Sequence, residues 1–264
     1  MSAPSTGGAW HPRALPRGRG AVHREQRGRI AELLLDNPDA RNAISPGMML
    51  DLEAHVCALE AAPALGLILR GEGGAAFCAG GDLSAVAEHL LEPGAGAGMC
   101  GFMTAILNRL RALPLLSVAA VEGAALGGGA EILSAVDLVV AAEGAKIGFV
   151  QAKLAVSPGW GGGQRLRQKV GPSAAARWLA LAQIHPAEQA MRLGLVDEIA
   201  PRGQALDAAR ALLAPLEELS EEAVRGAISI ARGAPPEDEA ALFSRLWAGP
   251  AHLDAMARMG RSRR

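Results

Sequence analysis

The chain lacks tyrosine altogether and has only four Trp and four Phe in 264 residues, so no mechanism here uses a tyrosine as acid or oxyanion donor. Scarce rings and a net charge of −1, from 26 Lys and Arg against 27 Asp and Glu, also exclude a nucleic-acid binder, which needs a basic surface and stacking platforms. Cysteine is limited to Cys57, Cys78 and Cys100, an odd number without metal-ligand spacing, which points to a reducing compartment and no metal. No apolar run reaches the roughly 18 residues of a membrane span, so no membrane association and a cytoplasmic location are expected. What the chain has in excess is glycine, 33 residues of 264, well above the roughly 7% of average usage.

Residues 1–27 are rich in Pro, Gly and Arg, and no acidic residue precedes Glu25. Prolines at positions 4, 12 and 16 oppose the amphipathic helix of a transit peptide, so this segment reads as a flexible tail. Residues 28–200 read as an α/β core and 201–264 as a C-terminal helical region. Strands are expected at 29–35, 65–69, 115–121, 138–141 and 146–149, and helices at 82–91 and 99–113. A further helix starts at Pro46, with Ser45 as its cap and Met49, Leu52, Val56 and Leu59 as its apolar stripe. Residues 37–42 read as a turn and 94–98 as a flexible loop. Alternating strands and helices imply a parallel sheet with right-handed crossovers.

Two segments share the plan strand, glycines, helix: Phe77-Cys78-Ala79-Gly80-Gly81-Asp82-Leu83 and Ala124-Ala125-Leu126-Gly127-Gly128-Gly129-Ala130-Glu131. Neither spells a phosphate loop or a dinucleotide fingerprint, and glycine-rich turns alone are as readily tight bends as ligand sites. Where such a turn opens a helix, its outward N–H groups favour negative charge, and two facing turns would supply paired donors for an oxyanion.

These segments, together with Asn37-Pro38, Asn42-Ala43, Val121-Glu122-Gly123, Asp137, Pro158-Gly159-Trp160-Gly161-Gly162 and Gly194-Leu195-Val196-Asp197, resemble the crotonase (enoyl-CoA hydratase/isomerase) superfamily over residues 29–264. The resemblance implies a ββα spiral core with a C-terminal helical trimerisation region. It also implies an acyl-CoA or acyl-carrier-protein thioester substrate, no cofactor, and a homotrimer or dimer of trimers. The backbone N–H groups of Gly81 and Gly128 match the positions that polarise the thioester carbonyl. Ala79 and Trp160 fall where the acyl group would be contacted.

Hydratases of the family use two glutamates. Glu131 matches the first, whereas the second position holds Gln151, which does not titrate and disfavours hydration. Met48-Met49 and Trp247-Ala248-Gly249-Pro250-Ala251 resemble the ethylmalonyl-CoA decarboxylase branch, which also has a polar, non-acidic residue, aligned as histidine, at the Gln151 position. The implied reaction is decarboxylation of an alkylmalonyl-type thioester through an enolate held by Gly81 and Gly128. Glu131 would orient the carboxylate or deliver the proton, and Gln151 would hydrogen-bond the departing carboxylate or simply the backbone. The alternatives are an enoyl-CoA hydratase or isomerase using Glu131, or a CoA-binding homologue without activity.

Other polar residues read as structural. Asp82 suits an N-cap, His55, His89 and His185 suit helical or surface settings, and Arg165, Arg167 and Lys169 form a solvated basic helix face. Leu242, Phe243, Leu246, Trp247, Leu253 and Met256 fit C-terminal helices that need a partner.

Overall fold

Runs spread over the first 200 residues assemble into one six-stranded sheet. A computed structural model describes residues 10–82, 87, 92 and 94–261. Strands β1 (Ala21–Arg27) and β2 (Ile30–Asp36) form an antiparallel pair, and β2 then pairs in parallel with β3 (Gly66–Gly71). The sheet continues through β5 (Leu116–Val121), β7 (Leu138–Ala142) and β10 (Glu198–Ala200), all parallel. A second sheet is built from β4 (Ala76–Cys78), β6 (Ala124–Leu126), β8 (Lys146–Gly148) and β9 (His185–Pro186).

Each long strand β3, β5 and β7 is thus followed by a short one, β4, β6 and β8, that steps into the second sheet. Helices α2 (Ala95–Ala112) and α3 (Gly128–Leu133) close the first two turns of this ββα spiral. The expected α/β spiral core is what the chain forms. Helix α1 (Pro46–Ala61) starts where Ser45 Oγ accepts the Met48 N–H at 3.3 Å, with Pro46 in the first turn, and it buries Met49, Leu52, Val56 and Leu59. Its core joins Leu33, Leu35, Leu67 and Leu69 of the sheet to Met103, Ile106, Leu107 and Leu110 of α2.

On the other sheet face, α6 (Ala205–Leu213) lays Ala205, Ala209 and Leu213 over Ile68, Val118 and Val140. Between these lie α4 (Gly162–Leu181) and α5 (Ala187–Arg192). Helices α7 (Glu221–Ala231), α8 (Pro236–Leu246) and α9 (Pro250–Arg261) complete the expected C-terminal helical region. Among the described residues, no helix is long and apolar enough to cross a membrane.

Two expectations need correction. The tail expected through residue 27 ends earlier: Pro12–Ala14 is a 3₁₀ turn and residues 21–27 are β1, whose exposed edge carries polar side chains and so shows little strand pattern. Residues 95–98, expected as loop, form the first turn of α2 after Gly94. The helix expected at 82–91 lies mostly outside the described residues, and residues 1–9 of the tail lie outside them too.

Candidate functional site

The parallel pairing of β4 with β6 and of β6 with β8 brings three chain segments, 79–81, 126–128 and 148–151, side by side at one end of the second sheet. They meet closely. Gly80 has φ +108°, and a Cβ there would stand 3.1 Å from the Gly128 nitrogen and 3.3 Å from the Leu126 oxygen, so only glycine suits the position. Asn42 fixes the approach of β4: its Nδ2 donates to the Glu72 and Ala76 carbonyls at 2.9 and 2.8 Å, and its Oδ1 accepts the Asn37 N–H at 3.0 Å. This explains the two asparagines of the turn at 37–42, which pattern reading singled out without a role.

Gly81 sits in an isolated parallel bridge with Ile44, in which Ile44 N–H donates to the Gly80 carbonyl at 2.7 Å and Asp82 N–H to the Ile44 carbonyl at 3.0 Å. These bonds use the neighbours of Gly81 and leave its own N–H on the opposite edge. Gly128 is the first residue of α3, where an N–H has no intrahelical acceptor. Both glycines line one cavity of about 380 Å³, together with Ala79, Glu131, Gln151 and Trp160. All six residues singled out from the sequence therefore converge. The Trp160 indole lies over the pair: a Cβ on Gly128 would fall 2.4 Å from its Cζ3, and one on Gly81 would fall 3.7 Å from its Cζ2.

Glu131 is buried, 2% exposed, on α3. Its Oε1 accepts from Gln151 Nε2 at 2.8 Å and the Gly159 N–H at 3.2 Å, and its Oε2 from the N–H groups of Trp160 at 2.7 Å and Gly162 at 2.9 Å. Four donors occupy the lone pairs of a carboxylate, so Glu131 anchors the 159–162 turn and keeps no lone pair for the cavity. A Cβ on Gly162 would lie 2.4 Å from Glu131 Cγ, which explains the glycine at that position.

Gln151 is held with its amide nitrogen toward Glu131, while its Oε1 is buried with no hydrogen-bond partner among the described residues. One of the two Gln151 amide N–H groups is thus spent on Glu131, which leaves a single donor for the expected bond to a departing carboxylate. Besides Glu131 and Gln151, the lining includes Asp82, Cys100 and Ser157 and the apolar Ile44, Met49, Met99, Leu154 and Val156. Among the described residues, no Lys, Arg or His lines it.

The expected basic face of α4 is corrected. Arg165 is 4% exposed, with Nη2 donating to the Trp160 carbonyl at 2.5 Å, Nη1 to Asn108 Oδ1 at 3.0 Å and Nε to Ser134 Oγ at 3.2 Å. Burial pulls its guanidinium down to about 10, against the opposing pull of the Glu131 charge. Lys169 donates to the Asp137 carbonyl at 2.9 Å, and burial lowers its ammonium despite Asp197 and Asp137 nearby. Only Arg167 of the three is exposed. His185 is buried edge-on to Trp178, with ring centroids 4.4 Å apart, far from a surface setting.

Cys78, beneath the 79–81 segment, is buried, and desolvation pushes its thiol up to about 12, so it is no nucleophile. A larger cleft of about 570 Å³ lies at the carboxyl ends of β3, β5 and β7, but it mixes Arg70 and Arg202 with Glu122 and Glu143 and contains none of these groups.

The sequence profile of the enoyl-CoA hydratase/isomerase family matches residues 25–238. The chain belongs to this family. Two curated relatives named ethylmalonyl-CoA decarboxylase are similar to it. The Danio rerio protein is 37% identical over 258 residues, covering 92% of this chain and 84% of that one. The Xenopus tropicalis protein is 38% identical over 240 residues, covering 87% and 79%. Among solved structures, an enoyl-CoA hydratase from a Polaromonas species matches with a TM-score of 0.82 and 28% identity, covering 92% of this chain and 98% of that one. An enoyl-CoA hydratase from Bacillus anthracis, 24% identical, shares the fold with a TM-score of 0.85 over 91% of this chain and 96% of that one.

Proposed function

We propose that the chain decarboxylates an alkylmalonyl-type CoA thioester, as the names of its relatives suggest. The observation that carries this reading is the commitment of both Glu131 oxygens to four N–H donors. Hydration and isomerisation need a carboxylate free to take and give a proton, whereas loss of CO2 needs no base. The C–CO2⁻ bond breaks, its electron pair moves onto the thioester oxygen, and CO2 leaves. The enolate then takes one proton from solvent at its α-carbon.

The N–H groups of Gly81 and Gly128 act as the oxyanion donors; removing one such donor typically costs about 3–4 kcal/mol of barrier. With no cationic side chain among the described lining residues, the substrate carboxylate enters a poorly solvating cavity and gains by becoming neutral CO2. Trp160 closes the cavity over the donors.

Exposed Phe243, Trp247, Leu253 and Met256 on the C-terminal helices support assembly into a homotrimer or dimer of trimers, and three unpaired thiols support a cytoplasmic setting. Separate incubation with ethylmalonyl-, methylmalonyl- and crotonyl-CoA, followed by mass spectrometry, tests the reaction. CO2 loss from an alkylmalonyl thioester is expected, and hydration of crotonyl-CoA without any decarboxylation would reject the reading. Light scattering that gives a monomer would reject the assembly.

A further inference from the structure

The first turn of α2 is a poor helix by composition. Gly94 stands at its N-cap without a side-chain bond, and Gly96, Gly98 and Gly101 follow, each about 1 kcal/mol worse than alanine in a helix. The first two turns nevertheless supply Gly96, Met99 and Cys100 to the wall of the cavity. On their other face lie Gly98 and Phe102, one helical repeat apart, and both meet the segment that precedes β1. Trp10 occupies the place of a side chain at Gly98: a Cβ there would fall 2.6 Å from Trp10 Cβ and 2.9 Å from its Cε3 and carbonyl oxygen. The His11 ring packs edge-on to Phe102 with centroids 5.0 Å apart.

The same segment is tied to α1, the other helix behind the cavity. Arg13 Nη2 bonds Glu53 at 3.0 Å, Arg17 Nη2 bonds Asp51 at 2.6 Å, and the Gly47 N–H donates to the Arg17 carbonyl at 2.7 Å. We infer that residues 10–17 are a strap that holds the first turn of α2 in place as a wall of the acyl cavity, with Trp10 as a positioning residue for acyl-chain selection. The inference rests on the thioester reading of that cavity. The energetic logic is direct: a turn with little intrinsic helicity persists because packing holds it, and on the face of Gly98 and Phe102 that packing includes Trp10 and His11.

Trp10→Ala, Gly98→Ala and the double variant test the strap. In W10A, amide hydrogen exchange at residues 98–103 should quicken at least tenfold. Affinity for butyryl-CoA, measured by calorimetry, should fall about tenfold while that for acetyl-CoA changes less than threefold. A generally loosened fold would move the two thioesters together. G98A should destabilise the wild-type chain, because its methyl meets Trp10, yet stabilise W10A, where alanine only improves the helix, and restore exchange protection there.

Unchanged exchange in W10A, equal loss of both thioesters, or the same sign for G98A in both backgrounds would overturn the strap. Wild-type protein that binds the thioesters but releases no CO2 from alkylmalonyl-CoA would instead reject the decarboxylase reading alone.

Discussion

Replacing Glu131 by glutamine separates an anchoring role from a proton-transfer role. The new amide can keep its oxygen on the Trp160 and Gly162 N–H groups, now at 2.7 and 2.9 Å from Glu131 Oε2. Its NH2 then faces Gln151 and the Gly159 N–H, which bond Oε1 in the native chain at 2.8 and 3.2 Å. Gln151 answers by flipping, and Gly159 is left facing another donor.

Three bonds thereby fall from charge-assisted to neutral strength, about 1 kcal/mol each, and one half-buried donor goes unpaired at about 1–2 kcal/mol. Buried Arg165 also loses the charge that opposes its desolvation. A loss of about 4–5 kcal/mol corresponds to a fall in melting temperature of roughly 7–10 °C for a chain of this size. Thermal unfolding followed by circular dichroism, beside CO2 release from ethylmalonyl-CoA, reads both roles at once. A melting temperature within about 2 °C of wild type, with activity down a thousandfold or more, would refute the anchoring argument and make Glu131 the proton donor.

Two further changes are equally sharp. Gly128→Ala should lower kcat by about 100-fold, the usual effect of displacing one oxyanion donor, because its Cβ would fall 2.4 Å from Trp160 Cζ3; Gly81→Ala, with 3.7 Å to Trp160 Cζ2, should stay within about fivefold. Steady-state rates decide it, and equal effects at the two positions would show that Trp160 does not overlie Gly128. At Asp137, burial raises the carboxyl, but hydrogen bonds from Arg232 and Ser117 outweigh it and hold the group below its ordinary 3.8. Its folded pKa is the lower one, so its stabilisation is present above about pH 4 and lost as pH falls further. Urea midpoints should decline over that range, and Arg232→Met should flatten the decline while lowering the midpoint at pH 7 by a loss of about 1–3 kcal/mol.

What was legible in the sequence was what repeats along the chain. The stripe from Met49 to Leu59 and the cap at Ser45 gave α1, and the pairing of apolar strands with glycine turns located the cavity, since strand, turn and helix each leave a local mark. The meaning of Glu131 was not legible, because three of its four partners are backbone N–H groups that carry no residue identity. Arg165 and Lys169 look like a solvated face because helical periodicity cannot show a carbonyl waiting in the core, at Trp160 and at Asp137. The first turn of α2 reads as a loop from its glycines, because the ring packed against Gly98 belongs to Trp10, more than 80 positions away. Strand β1 hid for a related reason: its order comes from the register with β2, and five of its seven residues face solvent.

The absence of tyrosine has an optical consequence once the four indoles are placed. Trp10 marks the segment packed on α2, Trp160 the cavity, Trp178 the core beside Phe149, and Trp247 the exposed C-terminal helices. With no phenol to absorb or to transfer excitation, near-ultraviolet emission comes from these four rings alone. Replacing them one at a time by phenylalanine resolves the signal into four local probes. The protein thus carries its own reporters of the cavity, the segment before β1, the core and the C-terminal helices, without any attached dye.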